Sequence, residues 1–407
     1  MTARVSEDQN TMRTNGAPPA SQSRVALVHD FLLDLRGAER VFLELCAMCP
    51  GADIYTAIYD EHGTEGRFAG RSLHTSFLQR LHPTARTFRT LLPLYPAAIE
   101  SFDLSDYDLV VSSSSAWAHG IMCDGRTLHV SYCHNPFRYA WNDREQTLAR
   151  CHNPLTRRFL GVTFRRWRHW DRMAARHTDR YVANSHTTKA RIRSFFGREA
   201  QVVYPPVETG RFSPGPVRGH YALVSELMPH KRIDVAIEAF NQLRLPLTII
   251  GDGPLARTLR RQAGPTVSFA GRVSDATVAE ILQGARALIL TSIEEFGIAA
   301  VESQAAGRPV IARHGGGALE NVIDGVTGCF WSGGPAELAR AVLEFDDAAV
   351  DPAACVRNAA RFDAATFRVG VRQQIAAAST AAVRPETERQ PLIATRLVRR
   401  ALQDAHR

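Results

Sequence analysis

The sequence predicts an α/β protein built from two doubly wound domains that face each other across a cleft. Three observations carry this prediction. The chain has 407 residues, enough for two or three domains at roughly 100–200 residues each. Short β-branched runs alternate with helical stretches, a pattern that makes parallel sheets covered on both faces. The alternation breaks at a proline- and glycine-rich stretch over residues 205–219 and then begins again. At 45% apolar and 22% charged residues, the composition is that of a globular chain and excludes wholesale disorder.

Residues 1–23 are rich in Ser, Thr, Asn, Pro and Gln and read as a loose tail. Arg24–Asp30 (RVALVHD) is a short buried strand, followed by the turn LLDLRGAE and a helix through Val41–Met48. ADIYTAIYD, YDLVVSSS, LHVSYCHN and RYVANS are further strands, with helices at Pro154–Arg176 and His186–Phe196, and together they make a first domain over residues 24–204. After the linker at 205–219, a second domain over 220–379 repeats the scheme. Its strands are YALVSEL, LTIIGDG, VSFAGRV, ALILTSI and PVIARHGGG, and its helices Ile233–Leu243, 255–262, 276–284 and Ile298–Ala306, then a turn and more helices. Residues 380–407 read as a basic amphipathic tail. In such sheets, polar residues at the carboxyl ends of strands line the ligand crevice.

The formal net charge is +8, with 26 basic and 20 acidic residues up to position 200 (+6) and 23 and 21 beyond it (+2). A basic first half suits an acidic partner: nucleic acid, a membrane surface or a phosphate-bearing substrate. Lysine occurs only at Lys189 and Lys231; the other basic residues are arginine. No apolar run approaches the ~18–20 residues of a membrane-spanning helix. The N-terminal stretch has no apolar signal core, so a cytoplasmic location is expected. Seven dispersed cysteines do not suggest a disulfide framework. Cys46-Ala-Met-Cys49 has redox or zinc spacing, but it closes an amphipathic helix without a second pair and reads as buried core.

The chemistry concentrates in Thr291–Gly307, TSIEEFGIAAVESQAAG. A strand ends at Thr291 or Ser292, Glu294 enters in a tight turn, Gly297 opens a helix and Glu302 lies about one turn into it. Free N–H groups of Phe296, Gly297 and Ile298 at that helix start favour a phosphate. A carboxylate at Glu302 could accept hydrogen bonds from two ribose hydroxyls, and one at Glu294 could hold a sugar. Alone, these residues read equally well as a solvated turn and a surface helix. Lys231, near the amino end of the neighbouring helix in MPHKRIDVAIEAF, adds a compact phosphate-binding cation.

In order, HKRIDVAIEAFNQL, IGDGPL, FAGRVSD, Glu294-x7-Glu302 with GRPVIA, and HGGGALENVIDGVTG resemble the nucleotide-binding half of glycosyltransferase family 4. RVALVHDFLLDLRGAERV, SLHTSFLQRL, AIESFDLSDYDLVVSSS and VSYCHNPFRYAW resemble its bacterial O-antigen and exopolysaccharide branch, often mannosyltransferases. The likeness spans residues 24–375. It implies a retaining, metal-independent enzyme of the GT-B fold, two Rossmann-like domains with no cofactor. The implied donor is GDP-mannose, or else a UDP-hexose. The implied acceptor is a polyprenyl-diphosphate-linked sugar, reached from the inner face of the plasma membrane.

The resemblance also implies roles. Lys231 would bind the donor diphosphate, Glu302 the ribose and Glu294 the transferred sugar, with amides from Phe296, Gly297 and Ile298 on sugar or phosphate. The base would lie beside Arg272 and Val273, Gly37 in RGAE would face the diphosphate, and His134 in YCHNP would sit near the reacting sugar. One departure stands out. The family usually has an Arg five residues before the Lys, where this chain has Glu226, an acid that would repel a diphosphate unless it turns away or pairs with a cation such as Arg232; either another arginine substitutes for the missing one or the donor binds differently. Asp106-Tyr-Asp108 spells a metal-binding Asp-x-Asp, but Asp108 runs straight into a strand and is rejected as a ligand. IGDGP lacks GxGxxG spacing, which argues against NAD.

Arg157–Arg180 interleaves eight arginines with Trp167, Trp170, Phe159 and Phe164. Such a helix either packs its aromatics on its own core or lies on an anionic membrane, and membrane is weighted above nucleic acid here. Leu73–Tyr95 is a second candidate for the same surface. Two rival functions follow: a non-catalytic nucleotide-sugar-binding subunit of a polysaccharide assembly complex, motivated by Glu226, and a nucleic-acid-binding protein, motivated by the charge.

Overall fold

The computed structural model describes residues 23–84 and 87–381. The expected tails lie mainly outside these residues. The first half contains β1 (Val25–His29), α1 (Gly37–Met48), β2 (Asp53–Thr56), β3 (Leu73–Thr75), α2 (Tyr95–Glu100), β4 (Leu109–Ser114) and β5 (Leu128–Cys133). It continues with α3 (Arg144–Ala149), α4 (Pro154–Ala174), β6 (Arg180–Ala183), α5 (His186–Phe196) and β7 (Ala200–Val202). Its seven-stranded sheet has the order β3-β2-β1-β4-β5-β6-β7, and every pairing is parallel.

The second half contains β8 (His220–Val224), α6 (Ile233–Leu243), β9 (Leu247–Ile250), α7 (Ala256–Gln262), β10 (Val267–Gly271), α8 (Asp275–Gly284) and β11 (Ala285–Leu290). After these come α9 (Ile298–Ala305), β12 (Val310–Arg313), α10 (Ala318–Asn321), β13 (Gly328–Trp331), α11 (Pro335–Glu344), α12 (Pro352–Ala359) and α13 (Ala364–Ala381). The six strands run in the order β10-β9-β8-β11-β12-β13, again all parallel.

Both sheets are buried on both faces, which explains why their strands read as continuous apolar runs. Leu27, Ile54, Val111 and Val130 pack on one face of the first sheet, while Ala26, Val28 and Val110 pack on the other. Leu223, Ile249, Ile289 and Ile311 divide in the same way from Ala222, Leu288, Val310 and Ala312 in the second sheet. Strand order reverses between β1 and β4, and between β8 and β11. Loops leave the carboxyl ends in opposite directions at such a switch point and open a ligand crevice.

Local capping chemistry starts the helices. Asn153 accepts hydrogen bonds from the amides of Leu155 and Thr156, with Pro154 at the first helical position of α4. Ser185 caps α5 through the Thr188 amide, and Ser274 caps α8 through the Thr277 amide. The last helix departs from the expected boundary at 379. Instead of staying with the second domain, α13 crosses back, placing Phe367, Val371 and Ala378 in the core that covers β5 and α1. Phe367 meets the Tyr132 ring edge-on at 5.5 Å, and Arg180 donates to Gln374 at 2.8 Å.

Candidate functional site

The predicted site residues lie beyond the carboxyl ends of the strands: Gly37, Lys231 and the 296–302 segment follow β1, β8 and β11 at the two switch points, while His134 follows β5 and Arg272 and Val273 follow the edge strand β10. Lys231 ends a short 3-10 turn, Pro229–Lys231, between β8 and α6. Its Nζ donates to both oxygens of Glu294, at 2.8 and 2.6 Å, while Thr291 Oγ1 donates to the Lys231 carbonyl at 2.6 Å. Ser292 Oγ also donates to Glu294. Burial alone would raise the Glu294 pKa. Lys231, Ser292 and Arg138 overrule it and hold the carboxyl down to about 2.

Gly297 precedes α9 with a φ of +86°, a left-handed conformation that favours glycine. Ile298 opens the helix and faces the first domain, where a Cβ built on Gly37 would stand 3.2 Å from Ile298 Cδ1. The amino ends of α1 and α9 therefore meet across the cleft. Phe296 turns its ring inward against Tyr204 and Phe362, leaving only its backbone for a ligand. Glu302 receives a hydrogen bond from Arg211 Nη2 at 3.0 Å. Burial raises the Glu302 pKa, against the pull of Arg211 and Arg40.

Arg272 and Val273 follow β10, and Arg272 Nη2 reaches across the cleft to Asp34 at 2.6 Å. His134 directly follows β5 and is buried. Burial, then the neighbouring His29, lowers its pKa to about 3, so the ring is neutral at pH 7. A buried polar line supports it: His134 Nε2 to Ser113 Oγ at 2.8 Å, Ser113 Oγ to His29 Nδ1 at 3.1 Å, and His29 Nε2 to Glu39 at 3.7 Å. Glu39 favours the proton on His29 Nε2. Ser113 then donates to His29 and accepts from His134 Nε2, which leaves His134 Nδ1 as an acceptor.

Several site residues were not apparent in the sequence. Glu295, the residue after Glu294 in the turn, is held by the first domain. Arg138 Nη2 donates to both its oxygens at 2.7 and 2.9 Å, and Arg191 Nη1 donates to it at 2.8 Å. Glu226 does pair with a cation, but its partner is Arg36 at 3.1 Å, not Arg232. Arg40 pairs with Asp275 at 2.7 Å. Glu320 accepts from the His186 and Thr187 amides at the start of α5, at 2.9 and 3.2 Å. The available signal was position: Asp34, Arg36 and Arg138 all lie in segments that follow buried strands.

Asp106 and Asp108 stand at the opposite, amino end of β4. There Asp108 accepts from the Arg24 amide and Asp106 pairs with the Arg24 side chain. Among the described residues, no group of three or more His, Cys, Asp or Glu is placed to hold a metal ion. Cys46 is buried, which pushes its thiol up to about 12.

Residues 35–211 match the family model described as glycosyltransferase family 4, and residues 219–346 match the one described as glycosyl transferases group 1. A GDP-mannose-dependent alpha-(1-6)-phosphatidylinositol monomannoside mannosyltransferase of Mycolicibacterium smegmatis is 33% identical over 178 residues, covering 35% of this chain and 46% of the relative. A D-inositol 3-phosphate glycosyltransferase of Acidothermus cellulolyticus is 32% identical over 201 residues, covering 40% and 45%. The chain thus spans about half the length of the curated relatives it matches. Among solved structures, Anabaena HepE in complex with UDP superposes with a TM-score of 0.62 at 18% identity, covering 87% of this chain and 100% of that one. Sucrose-phosphate synthase from Thermosynechococcus elongatus superposes with a TM-score of 0.66 at 16% identity, covering 88% and 100%. These two likenesses concern the fold.

Proposed function

We propose that this chain, a GT-B glycosyltransferase by its fold and by the family matches on both halves, is a retaining hexosyltransferase. It moves a hexose, mannose in first place and glucose or another hexose in second, from a nucleoside diphosphate sugar to a lipid-linked oligosaccharide of bacterial surface polysaccharide. The observation that carries the reading is the Lys231–Glu294 pair beside the meeting helix ends of α1 and α9. The mannosyltransferase relative supports GDP-mannose as donor.

In this reading Lys231 and the amides of Gly297 and Ile298 stabilise charge as it builds on the departing diphosphate. Glu294 orients the sugar, Glu302 accepts from the ribose, and Arg272 and Val273 flank the base. His134 offers Nδ1 as an acceptor to a sugar hydroxyl, because Ser113 occupies Nε2. The acceptor hydroxyl attacks from the face the phosphate leaves, and that phosphate takes its proton. Closure of the two domains aligns the reactants and excludes water.

A lipid-linked acceptor brings the chain to the inner membrane surface. The first two turns of α4 stand clear of the protein. Leu155, Phe159 and Val162 are 77%, 65% and 44% exposed on one side, accompanied by Arg157, Arg158, Arg165 and Arg166. Phe164 and Trp167 are buried in the core. Exposed Leu81 and Leu94 offer further apolar contacts. Among the described residues no helix is long and apolar enough to cross a membrane. Glu226, which motivated a non-catalytic subunit, pairs with Arg36 of the first domain.

The test is a donor panel of labelled GDP-mannose, UDP-glucose and other nucleotide sugars with bacterial lipid extract. Transfer that Glu294→Ala abolishes is expected. Donor binding without transfer to a competent acceptor would refute the enzyme reading. Affinity for duplex DNA or RNA with a steep salt dependence would instead favour nucleic acid.

A further inference from the structure

Arg36 occupies an energetically odd position. It is the N-cap residue of α1, at the positive end of that helix's dipole, where an acid is favoured and a cation is not. The adjoining Gly37 meets Ile298 at the positive end of α9. Two helix amino ends thus meet beside Arg36 and Lys231, whose charges are held by acids of the same site, Asp34 and Glu226 for Arg36 and Glu294 for Lys231, so a bound anion would take over cations already placed there.

Arg36 is also held deliberately. Its Nη1 donates to Glu226 of the second domain at 3.2 Å, and its Nε and Nη2 donate to Asp34 at 3.3 and 3.2 Å. Asp34 is itself tied to Arg272 across the cleft. These contacts use three of the five guanidinium N–H groups, and the side chain stays 42% exposed. Glu226 stands where the family resemblance leads one to expect an arginine, and it draws in an arginine from the opposite domain.

We propose that Arg36 supplies the second positive charge on the donor diphosphate, bridging its two phosphates, and that Glu226 positions it from across the cleft. The inference rests on the donor reading above and adds a residue and a direction to it. One phosphate-binding cation, Lys231, belongs to the second domain, while the other arrives only when the first domain is in place. A diphosphate therefore binds best to the closed arrangement.

Calorimetric titration of the full chain with GDP, GMP, UDP and UMP tests this. Wild type is expected to prefer the diphosphate of its own base. Arg36→Gln should weaken that diphosphate about ten-fold, the usual scale for a charge-assisted hydrogen bond, with a smaller loss for the monophosphate. The double variant Arg36→Gln/Glu226→Arg puts a cation back from the other side without restoring the interdomain ion pair, and should recover most of the lost diphosphate affinity. Equal losses for mono- and diphosphate, or no recovery in the double variant with unchanged thermal unfolding, would show Arg36 to be only a domain latch and overturn the proposal. Failure of wild type to bind any of the four nucleotides would overturn the donor reading itself.

Discussion

Replacing Glu294 by Gln keeps the shape of the side chain and removes its charge. The perturbation can be sized from the site. The folded carboxyl is held at about 2 against an ordinary 4.5, a depression worth about 3 kcal/mol at ~1.4 kcal/mol per pH unit. A depressed acid contributes stability that is fully present above its unfolded pKa and is lost as pH falls through the folded one. At pH 7 the variant should therefore be less stable by up to about 3 kcal/mol, with Lys231 left in a mostly buried position without its counter-charge. Acidifying from pH 4.5 towards 2 should erode wild type and narrow the gap. Urea unfolding followed by circular dichroism at pH 7 and pH 4 measures the first effect. Sugar transfer should fall in parallel by about 100-fold, the scale of losing a preorganised charged contact. Matching urea midpoints at pH 7 would refute the ion-pair argument, and transfer within a few-fold of wild type would refute the catalytic role.

His129 and His134 are both lowered to about 3 by burial, so unfolding takes up protons below the usual histidine value near 6.5. Their contribution is complete above pH 6.5 and is lost between 6.5 and 3 at about 1.4 kcal/mol per unit each; melting temperatures of wild type and His134→Gln should converge as pH falls from 7 to 5, and a constant gap would refute it. Gly37→Val should block the approach of Ile298, whose Cδ1 lies 3.2 Å from an added Cβ, lowering transfer at least about ten-fold. Adding Ile298→Ala should restore part of the rate, and an unimpaired Gly37→Val enzyme would show that the close approach is dispensable. Leu155→Ser/Phe159→Ser should lose most co-sedimentation with anionic lipid vesicles while keeping its melting temperature, whereas undiminished sedimentation would remove α4 as the membrane contact.

Much of the scaffold was legible because parallel strands buried on both faces leave continuous apolar runs. α5 and α6 match their predicted limits at both ends. β3, β7 and β13 do not stand out in the sequence, because they are sheet-edge strands of three or four residues whose pairing, more than their composition, makes them strands. α1 begins at Gly37, inside a segment read as a turn, because Glu39 caps the Arg36 amide. Glu294, Gly297 and Glu302 stood out through their spacing around the β11–α9 turn, and Lys231, 63 residues earlier at the start of α6, through the ordered motifs that the family resemblance rests on. Arg36 and Glu226 lie 190 residues apart, and no local pattern announces that pairing. For the same reason nothing local marks Glu295, whose partners Arg138 and Arg191 come from the first domain.

The return of α13 sets a timetable for synthesis. The Tyr132 ring and the Val203 side chain await Phe367 and Gly370, which are translated only after the whole second sheet. At about 5–20 residues per second, those intervals last roughly ten to fifty seconds. During them, the nascent first domain carries an uncovered apolar face, the kind of surface that chaperones bind and that other nascent chains aggregate upon. A chain ending before residue 364 would keep the strands of both sheets yet never cover that face.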